Sequence, residues 1–250
     1  GISIVYQPQV NVRTREIVGL EALARWTDSE RGPISPSVFV PIAEESGLIN
    51  RLGEVVLRKV CEQGRGWLDA GIDVPRLSVN VSAQQLASPN FVATVTQILK
   101  ESRFEASRLA FELTENMPVR EPDRVAETLA ALGDLGISLA IDDFGTKYAS
   151  LALLTLLPVS VLKIDQTFVK ELPGDSRAAE LASTVIAIGK SLNMHVVAEG
   201  VESSAQLDFL TERGCLYVQG FYYSPGLPAA RLHETLKSGY MGISHGEQQQ

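Results

Sequence analysis

Acidic and amide side chains follow several short apolar segments of this chain, and their types suit the binding of a divalent cation. Each segment has the pattern of a strand, and the polar residues stand at or just beyond its end. They are Glu21, Asn80, Ser82, Glu112, Glu115, Asp142, Asp143, Lys163, Asp165, Glu199, Glu202 and Gln219. Carboxylate and amide oxygens are the preferred ligands of hard cations such as Mg²⁺ or Mn²⁺. Gathered at one site, the acids would repel each other unless a cation neutralised them.

Any one of these residues taken alone is more simply a solvated loop residue or a salt-bridge partner. Their joint occurrence beside apolar strands, where an unpaired charge is costly, favours a shared metal site. Histidine is almost missing from the set: His195 begins a predicted strand and has a structural interpretation, while His233 and His245 lie near the end of the chain. The sequence therefore does not favour a zinc hydrolase.

The composition sets limits on partners and compartment. Of the 250 residues, 45% are hydrophobic, which is enough for a sizeable core. The 22 Lys and Arg residues are outnumbered by 30 Asp and Glu, and the net charge of −8 argues against DNA or an anionic membrane surface as a partner. The two cysteines, Cys61 and Cys215, are far apart in sequence and match no zinc motif. We therefore expect a cytoplasmic domain without membrane contact, even if a longer protein that contained it were membrane-anchored.

Short β-rich segments alternate with helical segments along most of the chain. Residues 2–9 and a second run that includes Ile17, Val18 and Leu20 predict an opening hairpin, with its turn at 11–15. Later strands are predicted at 76–81, 108–113, 137–141, 160–164, 195–198 and 216–218. Helices are predicted between them at 51–70, 91–101, 122–135, 177–192 and 205–213.

This alternation predicts an α/β fold with a mainly parallel sheet. Six later strands and the opening pair make eight, and about 250 residues is the typical size of a closed (β/α)₈ barrel. Such a barrel carries its active site at the carboxyl ends of the strands, where the polar residues named above stand. An open doubly wound sheet is the alternative. It is less favoured because no glycine-rich phosphate loop follows any predicted strand.

Short motifs in a fixed order run through nearly the whole chain. They are Tyr6-Gln-Pro8, Glu21-Ala-Leu-Ala-Arg-Trp26, Ser78-Val-Asn-Val-Ser82, Glu112-Leu-Thr-Glu115, Asp142-Asp-Phe-Gly-Thr146, Lys163-Ile-Asp165, Ala198-Glu-Gly-Val-Glu202 and Gln219-Gly-Phe221. With these motifs the chain resembles the EAL-domain family, phosphodiesterases that cleave the bacterial second messenger cyclic di-GMP. One such motif would be weak evidence, whereas the ordered series is specific.

The resemblance implies both the fold and the site. The fold would be a modified (β/α)₈, TIM-like barrel with one antiparallel strand near the N-terminus. Glu21, Asn80, Glu112 and Asp142 would ligate one Mg²⁺ or Mn²⁺ ion, and Asp143 would complete a second site. The catalytic residues would be Glu21, Lys163 and Glu199. Lys163 would hold or help deprotonate the attacking water. Glu199 would be the general base or would hold the metal ligands in position. The other implied roles are substrate contacts at Gln7, Leu23, Arg25 and Gln219, and a loop anchor at Glu115.

The resemblance also implies the reaction and the partners. Cyclic di-GMP would open to linear pGpG by attack of a metal-activated water on one phosphodiester. A homodimer is implied, as is an upstream sensor or GGDEF domain in the full-length protein. We expect residues 1–240 to form the EAL barrel and residues 241–250 to form a flexible polar tail.

One loop departs from the family pattern. After Asp142-Asp-Phe-Gly-Thr the family usually has a second glycine, an aromatic residue and two serines, whereas Lys147, Tyr148, Ala149 and Ser150 occupy these places here. In one interpretation Lys147 begins a helix and points to solvent, since Lys is a good helix former. In the other, the loss of a glycine that could adopt positive φ alters the activity or the coupling between protomers.

Two other functions compete with an active phosphodiesterase. A catalytically weak receptor would bind cyclic di-GMP without cleaving it, but that function predicts losses among the metal ligands, and every implied ligand position is filled. A barrel of the enolase type would also combine carboxylates, Mg²⁺ and a lysine, but would act on small organic acids. The ordered motifs argue against it.

Overall fold

The computed structural model describes residues 1–114, 122–145 and 158–242. Within these ranges the strands are β1 (Ile2–Asn11), β2 (Ile17–Asp28), β3 (Gly32–Ile34), β4 (Arg76–Val81), β5 (Leu109–Thr114), β6 (Ser138–Phe144), β7 (Val161–Ile164), β8 (His195–Ala198), β9 (Tyr217–Val218) and β10 (Leu227–Pro228). The helices are α1 (Pro36–Glu45), α2 (Ile49–Asp69), α3 (Ala83–Leu86), α4 (Phe91–Ser102), α5 (Pro122–Asp134), α6 (Gln166–Lys170), α7 (Ser176–Ser191), α8 (Ser204–Glu212) and α9 (Ala229–Ser238).

Eight of these strands close into a barrel. The pairing runs from β1 through β9, β8, β7, β6, β5, β4 and β2 and returns to β1, because β1 also pairs with β2. The ladders from β2 to β9 are parallel, whereas β1 is antiparallel to both of its barrel neighbours. This confirms the predicted modified barrel with one antiparallel strand and excludes the open doubly wound sheet.

Two short strands lie outside the closed ring and were not predicted. The edge strand β3 pairs with β2, and β10 pairs with β1. Each is only two or three residues long, and such short pairings leave little periodic signal in a sequence. The predicted elements agree with the structure: the helix predicted at 91–101 is observed at Phe91–Ser102, and the strand predicted at 195–198 is observed at His195–Ala198. The ten-residue helices α1 and α9 were not predicted.

Strand alternation separates the barrel lining from the hydrophobic core. On β4, Leu77, Val79 and Val81 are buried in the core that the helices cover, while Ser78 and Asn80 lie on the opposite face. On β1, Tyr6 packs edge-on against Trp67 of α2, with ring centroids 5.0 Å apart. The alternate residues of each strand are therefore directed into the barrel.

The lower part of the barrel interior is incompletely filled. A cavity of about 150 Å³ lies there, and its lining includes the small residues Ser78, Ala110 and Ala140 as well as Glu112 and larger side chains such as Tyr217. The charged residues occupy the layer above it. This arrangement differs from a barrel whose interior is packed throughout by branched apolar residues.

Helix ends follow the local sequence signals. Ser203 caps α8 by accepting a hydrogen bond from the backbone N–H of Gln206, whose side chain in turn accepts from the backbone N–H of Ser203. Ser203 and Gln206 thus form a capping box at the start of the helix. Gly136, just beyond α5, has a φ of +90°, a conformation that glycine adopts without the steric cost of a side chain.

The described chain ends against the hairpin turn. The backbone N–H of Met241 donates to the carbonyl of Arg15 over 2.9 Å, and Tyr240 forms a bridge with Glu16. Residues 243–250 lie outside the described ranges, so the division into a barrel and a flexible tail stays a prediction. None of the helices in the described residues has the length and apolar character needed to cross a bilayer.

Candidate active site

The strand register brings the predicted polar residues to one rim of the barrel. Asn80 on β4 pairs directly with Glu112 on β5, and Asp142 on β6 pairs with Thr114, two residues beyond Glu112. Because these strands are parallel, their carboxyl ends lie at the same edge. Residues that are far apart in the sequence are thereby neighbours at the mouth.

Lys163 is the centre of the arrangement. Its ammonium nitrogen lies 2.5 Å from Glu112 Oε2, 2.6 Å from Glu199 Oε1, 3.2 Å from Asp142 Oδ1 and 3.5 Å from Glu21 Oε2. The side chain is fully buried. Four carboxylates around one ammonium leave a local excess of negative charge if all are ionised.

Opposing effects act on the pKa of Lys163. Burial on its own lowers the pKa, but the charges of Glu112, Glu21, Glu199 and Asp142 together outweigh burial and hold the pKa well above its usual range. The lysine is consequently a permanent cation at physiological pH. Its charge is fixed in position by the carboxylates that surround it.

The carboxylates respond to the same crowding in different ways. Burial, together with the neighbouring acids, raises the pKa of Glu112 well above its usual range despite the lysine, and burial likewise raises the pKa of Asp142. Burial also raises the pKa of Glu199, to about 8. For Glu21, burial acts to raise the pKa, but Lys163 and hydrogen bonds from Gln219 and Asn80 lower it below its usual value. Because one lysine cannot neutralise four ionised carboxylates, the crowded acids tend to keep protons when no further cation is bound.

Asp142 belongs to two groups of acids that are close enough to share a cation. Carboxylate oxygens of Glu21, Glu112 and Asp142 lie within 4.8 Å of one another, as do those of Asp142, Asp143 and Glu199. Both groups supply only oxygen donors, which suits Mg²⁺ or Mn²⁺. The excess negative charge and the donor chemistry together fit a divalent metal centre.

Asp143 is placed by an unusual backbone conformation. Its φ is +56°, in the left-handed region that non-glycine residues seldom adopt, and its backbone N–H donates to Asp142 Oδ1 over 3.0 Å. Burial is the largest cause that raises its pKa to about 7, followed by the charge of Asp142 and a hydrogen bond with Asp165. Strained conformations of this kind are common at functional sites.

A network of amides holds Glu21. Asn80 Nδ2 donates to Glu21 Oε1 over 2.9 Å, and Gln219 Nε2 donates to Glu21 Oε2 over 2.5 Å. Gln219 Nε2 also donates to Gln7 Oε1 over 3.1 Å, and Gln7 donates to the carbonyl of Ser224. Two of the predicted substrate contacts, Gln7 and Gln219, thus lie against a predicted metal ligand.

The remaining predicted substrate contacts line a large cleft beside the acids. Leu23 and Arg25 share the face of β2 that carries Glu21, and they border a cavity of about 920 Å³ whose lining is mostly apolar. Asn80 borders the same cavity. The cleft is therefore continuous with the acidic rim.

Some predictions fall on residues outside the described ranges. The loop anchor Glu115 and the departing residues Lys147 and Ala149 are among them. Their roles stay predictions. Within the described part of the chain, every predicted catalytic residue, metal ligand and substrate contact lies in the acidic rim or along the adjoining cleft.

The amide network contains one residue that sequence reasoning missed. Gln9 lies on the inner face of β1, two residues after Gln7, and its Nε2 donates to Gln219 Oε1 over 3.1 Å. The available signal was the alternation of Gln7 and Gln9 with the less polar Tyr6, Pro8 and Val10 on the same strand. Such alternation indicates that two polar side chains point into the same interior.

A sequence profile described as "EAL domain" matches residues 1–226. The chain belongs to the EAL-domain family. The resemblance inferred from the motifs is thereby confirmed, and the acidic rim is the expected place for the active site of an EAL domain.

This chain is similar to one part of each of several longer relatives. Over 227 residues it is 43% identical to the bifunctional diguanylate cyclase/cyclic di-GMP phosphodiesterase MucR of Pseudomonas aeruginosa, covering 91% of this chain and 33% of MucR. Over 237 residues it is 38% identical to the oxygen sensor protein DosP of Escherichia coli, covering 95% of this chain and 30% of DosP. The chain thus spans about a third of the length of these relatives.

A solved structure supports the same assignment of the fold. The EAL domain superposes on the MucR phosphodiesterase in complex with cyclic di-GMP with a TM-score of 0.87 and 42% sequence identity. The match covers 92% of this chain and 94% of the MucR chain. At this identity and coverage the two chains share the barrel throughout.

Proposed function

We propose that this EAL domain hydrolyses one phosphodiester bond of cyclic di-GMP and releases linear pGpG. The observation that carries the proposal is the convergence of Glu21, Glu112, Asp142 and Glu199 on Lys163 at the rim of the barrel. The similarity to MucR, which is named as a phosphodiesterase and whose structure contains cyclic di-GMP, supports this substrate.

The proposed cofactor is a pair of divalent cations, either Mg²⁺ or Mn²⁺. Glu21, Asn80, Glu112 and Asp142 would hold one ion, and Asp143 would complete the site of the second. Bound there, the cations supply Lewis acidity, which lowers the pKa of water and neutralises charge on phosphoryl oxygens. The two overlapping groups of carboxylate oxygens support this division of ligands.

Lys163 contributes a fixed positive charge. In the metal-free protein the surrounding acids keep it protonated. In the reaction it would hold the attacking water or help to deprotonate it, and its charge would stabilise the attacking or leaving oxygen. Glu199 is 2.6 Å from Lys163 and is the proposed acceptor of the water proton. The raised pKa of Glu199, about 8, suits proton transfer near neutral pH.

The amides and the cleft orient the substrate. Gln219 and Gln7 contact each other beside Glu21, and Leu23 and Arg25 border the apolar cleft. Arg25 is suited to a phosphate oxygen because its planar guanidinium can donate two parallel hydrogen bonds. The apolar lining of the cleft would receive part of a guanine nucleoside.

The partners of the whole protein are part of the same proposal. MucR and DosP, which are about three times longer than this chain, have names that describe a diguanylate cyclase and an oxygen sensor. We therefore propose that an attached sensor or GGDEF domain controls the EAL domain. We also propose that the EAL domain acts as a homodimer in the cytoplasm.

Incubation of the purified chain with cyclic di-GMP tests substrate, chemistry and metal together. One arm contains Mg²⁺ or Mn²⁺ and the other contains a chelator, and chromatography follows the dinucleotides. Formation of linear pGpG only with metal is expected. If the folded protein does not cleave cyclic di-GMP with either Mg²⁺ or Mn²⁺, the proposal is wrong. Tight binding without turnover would instead favour a catalytically weak cyclic di-GMP receptor.

A further inference from the structure

Gln9 is connected to the carboxylate cluster by hydrogen bonds through one other residue, Gln219. Its side chain is buried inside the barrel, and its Nε2 donates a hydrogen bond to Gln219 Oε1 over 3.1 Å. Gln219 Nε2 in turn donates to Glu21 Oε2 over 2.5 Å. The contacts run from β1 to Gln219, which directly follows β9, and from there to β2, where they end on a carboxylate that would ligate metal.

This contact determines which way the amide of Gln219 faces. A glutamine side chain has an accepting oxygen and a donating nitrogen, and its orientation is set by the hydrogen bonds that it makes. Here the oxygen receives the Gln9 donor, so the nitrogen faces both Glu21 and Gln7. A half-turn of the amide would place its oxygen against the Glu21 carboxylate, where two acceptors would repel each other.

A glycine on the neighbouring strand makes room for Gln9. A Cβ atom built on Gly19 of β2 would lie 2.4 Å from Gln9 Oε1. Any side chain at this position would force the glutamine to move. The fit between Gly19 and Gln9 thus fixes the donor that orients Gln219.

We propose that Gln9 is a positioning residue that acts through Gln219 to hold Glu21 ready for a divalent cation. The inference rests on the proposed function, because it takes Glu21 to be a metal ligand. Side chains that hold the ligands of a metal typically contribute 10- to 100-fold to its affinity. Gln9 is one hydrogen bond further away, so we expect the lower end of this range.

The first test replaces Gln9 by leucine and measures Mn²⁺ affinity by titration calorimetry. Gln9→Leu keeps a similar volume but removes the donor, and it should weaken Mn²⁺ binding by about tenfold. The matched control is Thr128→Val. Thr128 is as buried as Gln9, but its hydroxyl donates to the carbonyl of Leu86 away from the cluster. This control should lose stability without losing Mn²⁺ affinity.

A double-mutant cycle separates positioning from general destabilisation. In a Gln219→Leu background the proposed route from Gln9 to Glu21 is already cut, so Gln9→Leu should change Mn²⁺ affinity by less than about twofold. A merely structural role predicts the same loss in both backgrounds. Equal losses would overturn the inference, as would unchanged affinity in a folded Gln9→Leu protein.

Gly19→Ala provides an independent variant if Gln9→Leu does not fold. It retains Gln9 but shifts its side chain, and it should weaken Mn²⁺ binding as Gln9→Leu does. Unchanged affinity in folded Gly19→Ala protein would count against the inference. Calorimetry needs no turnover, so it tests Gln9 even if cyclic di-GMP is not cleaved. Conversely, if the wild-type chain cleaves the nucleotide and Gln9→Leu leaves Mn²⁺ affinity unchanged, only the proposed role of Gln9 is refuted.

Discussion

The ammonium of Lys163 and the carboxylate of Glu112 lie 2.5 Å apart, and neither side chain is more than 1% exposed. Removal of one partner of such a buried pair lowers the stability of the fold, because the other partner is left as an uncompensated charge in the protein interior. The pair is held by β5 and β7, which are separated in the barrel only by β6. Both the stability and the chemistry of the site depend on it.

Lys163→Met should destabilise the metal-free protein by about 3–5 kcal/mol, the range found when a buried ion pair loses one partner. The reason is that four acids would lose their shared cation. Chemical denaturation without metal measures the effect. Added Mg²⁺ should recover part of the loss, since a cation can replace the ammonium charge. Lys190→Met, at an exposed position on α7, serves as the control and should change stability little.

Glu21→Ala should abolish turnover because it removes a proposed metal ligand. Steady-state cleavage of cyclic di-GMP, together with Mn²⁺ titration, measures both consequences. Glu54→Ala is the matched control, since Glu54 is a half-exposed partner of Arg58 on α2. If Glu21→Ala retained near-normal activity, the assignment of the metal ligands would be wrong.

The metal-free protein should lose stability as the pH rises from about 5 to 8. The pKa of Glu199 is about 8 and that of Asp143 about 7, so the folded protein keeps protons that the unfolded chain has already released in this range. Proton binding to the folded state stabilises it at low pH, and this contribution disappears as the pH passes these values. Lys163 stays charged in both states throughout. Thermal unfolding in the presence of chelator measures the effect.

Metal affinity should change with pH in the opposite direction. The carboxyl of Asp143 must release its proton before it can ligate a cation, so binding should strengthen between about pH 6 and 8. Calorimetry in buffers of different ionisation enthalpy counts the protons released. An affinity that is independent of pH, with no proton release, would contradict the role of Asp143 as a ligand.

Gly220→Ala should destabilise the protein, because a Cβ atom at this position would lie 2.2 Å from the backbone oxygen of Val201. Backbone cannot move aside as a side-chain end can. Gly66→Ala on α2 is the matched control. Apart from the adjacent residues and the backbone of its own helix, no atom of the described residues lies within 4 Å of its added Cβ, and alanine should stabilise the helix by up to about 1 kcal/mol. Denaturant unfolding of both variants should give changes of opposite sign.

Lys147→Gly restores the residue that the family usually has and stays a prediction based on sequence alone. We expect a modest change in turnover or dimerisation, much smaller than the loss caused by Glu21→Ala. Cleavage kinetics and sedimentation measure the two properties. A complete loss of activity would contradict the interpretation that Lys147 points to solvent.

The sequence predicts the barrel and its rim because both depend on local signals. Glu112 and Lys163 could be placed at strand ends from the apolar segments that precede them, and parallel strands bring such ends together. Gln9 could not be assigned a role in this way. Its partner is 210 residues away, and the contact exists only because the antiparallel β1 lies beside β9 in the closed ring. Pairings between distant strands leave no trace in local periodicity.

The reversed direction of β1 also separates the two ends of the hairpin. Gly1 pairs with Thr27 at the rim where β2 ends, while the exposed Thr14 lies in the turn at the opposite rim, beside Tyr240 and Met241. A fluorophore attached at Thr14 would therefore report global unfolding from a place remote from the nucleotide. One attached at Gly1 would stand on the reaction side, where it could sense occupancy of the cleft.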